Sequence, residues 1–79
     1  MLPAQIREII MLYDIEYRYR LVREDRLGNT TKQEWRKGRE TAFERLSRGD
    51  AERFVRKELG SLVGYGSYYE IEIIDISQR

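Results

Sequence analysis

Between Tyr13 and Val22 the chain alternates. Tyr13, Ile15, Tyr17, Tyr19 and Leu21 take every second position, with Asp14, Glu16, Arg18 and Arg20 between them. A period of two sends successive side chains to opposite faces of a strand. Aromatic and β-branched residues suit a pleated, half-buried surface. The pattern predicts a strand over 13–22 with one apolar and one charged face, as in antiparallel or edge-containing sheets. Alternation returns from Tyr68 to Ile76. There Tyr69, Ile71 and Ile73 are set to one face, and Glu70, Glu72, Ile74 and Ile76 to the other. Apolar residues on both faces near the end of this segment predict a more central, better covered strand.

Between the two, the period changes to that of a helix. Ala51, Phe54, Val55 and Leu59 form one stripe. Ser47 stands before it, with Asp50 three residues later, a capping-box spacing with Asp in place of the usual Glu. Gly60 follows the last apolar residue, where a left-handed backbone ends a helix. These signals predict a helix from Arg48 to Leu59.

Residues 24–39 are polar, with Gly28-Asn29 as a turn and Gly38 as a second break. Trp35 either belongs to a second strand or anchors the loop on the core. Residues 40–46 have good helix propensity, so they are either another helix or a strand feeding the capped one. At the N-terminus, Pro3 suits a first helical turn, and Leu2, Ile6, Ile9 and Tyr13 would then share a face. Alternatively, residues 1–10 are an appendage of a single domain spanning 1–79. Residues 60–67 read as a glycine-rich connector.

Seventy-nine residues make one domain with a thin core. The chain has neither Cys nor His, which excludes disulfides, thiolate–imidazole zinc sites, Cys nucleophiles and His bases. No spacing matches an all-oxygen metal loop. We therefore expect no metal, no cofactor, no small-molecule substrate and no enzymatic activity. Burial against a protein partner or a second copy is the remaining route to added stability. The longest apolar stretch runs only from Ile9 to Tyr13, far short of the ~20 residues that span a bilayer. No basic region precedes an apolar run at the N-terminus. The expected setting is cytoplasmic, or a host cytoplasm or virion if the protein is viral.

Charge is distributed unevenly. Residues 1–17 sum to −2 and residues 58–79 to −3, whereas residues 18–57 hold 13 Lys/Arg against 7 Asp/Glu, a sum of +6. One reading is nucleic-acid contact through Arg23, Arg26, Lys32, Arg36, Lys37 and Arg39. The other is a solvated surface whose acidic ends pair with the basic middle.

The candidate chemistry is sparse. Gly64-Tyr65-Gly66 lacks the Lys-Ser/Thr of a phosphate loop and lies between a helix and a strand, the reverse of that motif. Residues 63–69 also resemble the first signature of RNA-recognition domains, without a basic residue before the first glycine and with Ser67 in place of an aromatic. Glu70 and Glu72 have the neighbouring placement that acid–base pairs use. Arg18 and Arg20 repeat the spacing, so adjacent strands would pair the four as opposite charges. With no His, a serine triad is excluded. Six tyrosines cluster at Tyr13, Tyr17, Tyr19, Tyr65, Tyr68 and Tyr69. Tyrosine buries area while keeping a polar tip, so these are the candidate interface residues. The expected core is Tyr17, Leu21, Phe54, Val55, Leu59, Ile71 and Ile73.

The order strand, helix opened by Ser47-Arg48-Gly49-Asp50-Ala51, Leu59-Gly60-Ser61 stop, then the strand Tyr69–Ile76 resembles the archaeal ribosomal protein LX family. It is also similar to short phage and prophage proteins. The likeness covers about half the chain. LX proteins carry a basic segment after the Gly-Ser, where this chain has the uncharged Leu62-Val63-Gly64-Tyr65-Gly66. The resemblance implies an α+β fold: a small, mostly antiparallel β-β-α-β sheet with one helix on one face and residues 40–46 as strand. Two functions stay open. One is a protein-binding or assembly module, structural or inhibitory and of a virus or mobile element, on the thin core, balanced charge and Tyr-rich strands. The other is a ribosome- or RNA-associated accessory protein, on the basic middle and this resemblance.

Overall fold

The spine of the structure is β1 (Tyr13–Glu24). Its alternating residues form the twelve-residue strand because both faces find cover and both edges find partners. The computed structural model describes residues 11–60 and 66–79. Along one edge β1 pairs antiparallel with β4 (Ser67–Gln78) over its length. Along the other it pairs with β2 (Thr30–Lys32) and β3 (Arg36–Ala42), also antiparallel. β2 and β3 are one returning arm of a hairpin, broken at Gln33–Trp35. Val22 aligns with Lys32 but Tyr19 with Arg36, so three residues of this arm oppose two of β1. The helix α1 (Arg48–Leu59) separates β3 from β4. Among the described residues the fold is a small antiparallel α+β sheet of four strands carrying one helix.

The helix has the predicted bounds. The Ser47 side chain accepts the N–H of Asp50 at 3.2 Å, satisfying one of the donors a helix start leaves open. Gly60 takes φ 84° and its N–H bonds the Lys57 carbonyl, a backbone that only glycine adopts without strain. Ala51 and Val55 are buried against Ile15, Tyr17, Ala42 and Ile73. Tyr19, Leu46, Phe54, Leu59, Ile71 and Ile76 pack around that centre. Full burial of Ile15 and Val55, both at zero exposure, is worth about 1.5–3 kcal/mol each. A twelve-residue helix is about 18 Å long and a twelve-residue strand about 40 Å, so α1 covers about half the length of one face.

Several expectations are corrected by the pairing. β4 is an edge strand, and the central strand is β1, paired on both sides. The apolar residues on both faces of β4 arise from a bulge. Tyr17 aligns with Ile73 and Glu16 with Asp75, leaving Ile74 without a partner. The bulge shifts the alternation by one, so Ile76 aligns with Ile15 and joins the core on the helix face instead of facing away with Glu70 and Glu72. Residues 40–46 are neither a full strand nor a helix: β3 is Arg36–Ala42, held by the second edge of β1. Tyr13 opens β1 rather than closing a helical stripe. The expected N-terminal helix or appendage at 1–10 lies outside the described residues, as does most of the glycine-rich connector. Of the expected core, Tyr17, Val55 and Ile73 are buried, Phe54, Leu59 and Ile71 pack against them, and Leu21 is half-buried outside that cluster. Val22 is fully buried on the opposite face, which a strict two-face reading of β1 did not foresee.

Candidate functional site

The face of the sheet away from the helix carries most of the charge. The even residues of β1 project there, and β4 brings Glu70 and Glu72 beside them. Arg18 meets Glu72 at 2.6 Å and Arg20 meets Glu70 at 2.7 Å, as opposite charges at register partners do. Lys32 reaches the other oxygen of Glu70 at 3.0 Å. Lys32 and Arg20 together hold the Glu70 carboxyl below its usual range. Further along, Arg39 donates to Glu16 at 2.7 Å, and that bond raises the guanidinium pKa. Arg79 meets Asp14 at 3.1 Å. Trp35, at the break between β2 and β3, lies over this ladder with the Arg18 and Arg20 guanidinium carbons 4.3 and 4.1 Å from its ring centre. Cation–π attraction of this kind adds to ion pairing. Trp35 thus anchors the returning arm on charge instead of on the core.

On the helix face the aromatic side chains form a row. Tyr17 and Tyr19 rings lie 5.8 Å apart, and Tyr19 meets Tyr69 edge-on at 5.8 Å. The Tyr17 ring covers Gly38 of β3 so closely that a Cβ there would lie 2.4 Å from the ring. Its hydroxyl donates to Glu40 at 3.3 Å. Burial, then the Glu40 charge, pushes the Tyr17 phenol up to about 12.

The two outer edges differ. Glu24 N–H bonds the Gly66 carbonyl and Arg79 N–H bonds the Leu12 carbonyl, whereas Gln33 N–H bonds Leu21. Even residues of β1 therefore face β4, and odd residues face β2 and β3. On β4, the residues aligned with odd positions turn their backbone outward: Tyr69, Ile71 and Ile73. Two helix arginines cover this edge. Arg48 donates to the Ile73 carbonyl at 2.7 Å and Arg56 to the Tyr69 carbonyl at 3.0 Å. Eight residues apart, they stand about 12 Å apart along the helix axis, near the four-residue separation of their targets on a strand. On β3, the residues aligned with odd positions of β1 bond inward, so Lys37, Arg39 and Thr41 turn their backbone groups outward. Among the described residues no side chain or strand bonds them there.

Of the six candidate tyrosines, Tyr17 is core and Tyr13, Tyr19 and Tyr69 are half-buried. Tyr68 is 44% exposed on the helix-free face, and Tyr65 lies outside the described residues. The six basic candidates do not converge. Lys32 and Arg39 are in ion pairs. Arg23 and Arg26 lie at the hairpin tip, Arg36 and Lys37 on β3, and none of these four has an ion pair among the described residues. Sequence reasoning missed Phe43, 76% exposed beside Leu46 and Phe54 around a hollow of about 300 Å³. Its signal was an apolar residue between a strand end and a helix cap. It also missed Arg48 and Arg56, which a helical wheel shows only as polar positions. Among the described residues no acidic cluster is set to hold a metal, and no helix is long and apolar enough to cross a membrane.

Comparison of the chain with protein-family models, with curated proteins and with solved structures finds no match.

Proposed function

We propose that this chain is a non-enzymatic binding or assembly module that acts on a protein partner by contact. The observation that supports this best is the arginine–carboxylate ladder. Glu70 and Glu72 have the spacing of an acid–base pair, but each is held by an arginine across the strand, and Glu70 by Lys32 as well. The Glu70 carboxyl, with its pKa lowered by Lys32 and Arg20, is a poor proton donor near neutrality. What remains at the surface suits contact: an open backbone edge on β3, and exposed Phe43, Tyr68 and Ile74. The setting in a virus or mobile element, as structural part or inhibitor, rests on the sequence resemblance alone.

An RNA-associated role is the second reading, supported by the exposed Arg23, Arg26, Arg36 and Lys37, which have no ion pair among the described residues. Against it, Asp14, Glu16, Glu70 and Glu72 share a face with the basic residues of the sheet and would repel phosphate. Retention on immobilised RNA, measured across a salt series, separates the two. Phosphate contacts weaken steeply as salt rises. Tight, salt-sensitive retention would favour RNA. Absence of retention, together with a stoichiometric protein complex seen by native mass spectrometry, supports the contact module.

A further inference from the structure

We propose that the outer edge of β3 receives an extended acidic segment of a partner protein, which adds to the sheet as a new antiparallel or parallel strand. This deepens the contact reading by naming the edge and the chemistry of its occupant.

Lys37, Arg39 and Thr41 present N–H and C=O groups outward, in the form a strand-adding peptide uses. The opposite edge of the same sheet is obstructed by Arg48 and Arg56. Natural sheets cover or charge edges that are not meant to pair. Here two helix arginines cover one edge, whereas the other keeps its outward backbone open among the described residues and carries charge of one sign, which repels like strands but not an acidic one.

The charge argument selects the occupant. Inward of Lys37, the register neighbour on β1 is Arg18, a like charge, and Arg18 is already held by Glu72. Lys37 has no ion pair among the described residues, and the nearby Glu16 is held by Arg39, so a carboxylate on the outer side would supply its counter-charge. Arg39 pairs inward with Glu16 yet stays largely exposed, so it can share a second carboxylate. A strand laid against β3 sets its side chains opposite Lys37 and Arg39 two residues apart, and carboxylates there would pair with both. The sheet already uses this arrangement at Arg18 and Arg20 with Glu72 and Glu70. Next to these residues, a hollow of about 450 Å³ bounded by Glu16, Lys37, Arg39 and Ile74 leaves room for the incoming side chains.

A second copy fits poorly. Antiparallel pairing of β3 with itself sets Arg39 against Arg39, or Lys37 against Arg39. Pairing with the β4 edge of another copy brings Lys37 and Arg39 to Arg48 and Arg56. Both put like charges opposite each other. Nucleic acid fits poorly as well, because phosphates make no use of the outward carbonyls.

The test is residue-resolved amide hydrogen exchange on the full chain. The probes are a peptide of the length of β3 alternating Glu with Val, its Lys–Val counterpart, and single-stranded RNA. The expected result is slowing on the order of tenfold, equivalent to about 1.4 kcal/mol of added pairing. It should occur at the Lys37, Arg39 and Thr41 amides with the Glu–Val peptide and not with the other two probes. Lys37→Glu should abolish it while leaving the fold intact, since Lys37 has no ion pair among the described residues. The Lys–Val peptide should then recover it on that variant. Equal slowing by both peptides, or none by either, overturns the proposal. Slowing by RNA alone overturns both this proposal and the contact reading. Slowing by the acidic peptide confined to the Leu46–Phe54 region overturns the edge assignment but leaves the contact reading standing.

Discussion

The two long edges of this sheet are made of the same backbone and meet water differently. The β4 edge lies beneath the helix rim, where Arg48 and Arg56 occupy two of its outward carbonyls. The β3 strand joins the core under α1 at Ala42, and further along it the Tyr17 ring rests on Gly38. The difference follows from where the helix sits. Once Ala51 and Val55 dock over Ile15 and Ile73, Arg48 and Arg56, eight residues apart on the helix, fall on β4, and much of β3 is left to a tyrosine ring. Closure of one edge is thus a by-product of core packing, and so is the openness of the other.

The comparison breaks most completely if the helix loses its seat. Ile15→Ala should cost about 2–5 kcal/mol, a large share of a small domain's stability, and thermal melting monitored by circular dichroism should show it. If the helix undocks before the sheet melts, exchange at Val55 should rise before exchange at Arg18 and Glu72, which face each other in the β1–β4 ladder.

Alkaline pH tests the β3 side. The Tyr17 phenol has its folded pKa raised from about 10 to about 12. Below pH 10 both folded and unfolded forms keep the proton and stability is full. As pH rises from 10 to 12 the unfolded chain ionises first, and roughly 2–3 kcal/mol is lost. Denaturant titrations at pH 9 and pH 12 should show this loss in the parent and a smaller one in Tyr17→Phe.

Gly38→Ala tests the same contact sterically. The added Cβ would meet the Tyr17 ring at 2.4 Å. Because the ring is packed, the substitution should cost about 1–3 kcal/mol. Rescue by Tyr17→Leu would show that the ring, and not strand propensity, demands glycine. The smallest expected effect on stability is that of Arg48→Ala with Arg56→Ala, under about 1 kcal/mol, since both sites are at the surface. Its readout is association: with both edges open, light scattering should show concentration-dependent assembly that the parent lacks.

How much of this could be read from the residues depended on whether a segment's partners left a mark in its own sequence. Tyr13–Val22 and Arg48–Leu59 signal their faces by period and caps, and both elements form where the pattern put them. The Arg18 and Arg20 pairing with Glu72 and Glu70 was legible because matched charge at matched spacing needs only that the strands be neighbours. β3 was not legible. Arg36-Lys37-Gly38-Arg39-Glu40-Thr41-Ala42 has no apolar alternation, and it is a strand because β1 has a second edge to fill. The guarded edge was hidden for the same reason. Arg48 and Arg56 show their targets only when helix and strand are placed together. Trp35 and Val22 were misjudged because a lone aromatic over two arginines and a lone aliphatic on a charged face break the rule that apolar residues collect on one side.

The bulge in β4 also has a meaning for how this chain tolerates change in length. Ile74 is the one residue between Ile73 and Asp75 that no partner on β1 claims. Side chains before it and after it read their faces in two different frames. Removing Ile74 would merge the frames and leave every existing β1–β4 pair intact. Residue 73 is also Ile, so removing either isoleucine gives the same chain, whereas removing Glu72 would absorb the bulge only by setting Ile73 opposite Arg18 on the charged face. The bulge therefore gives the strand one residue of slack, and a deletion is silent to its pairing where it removes that residue.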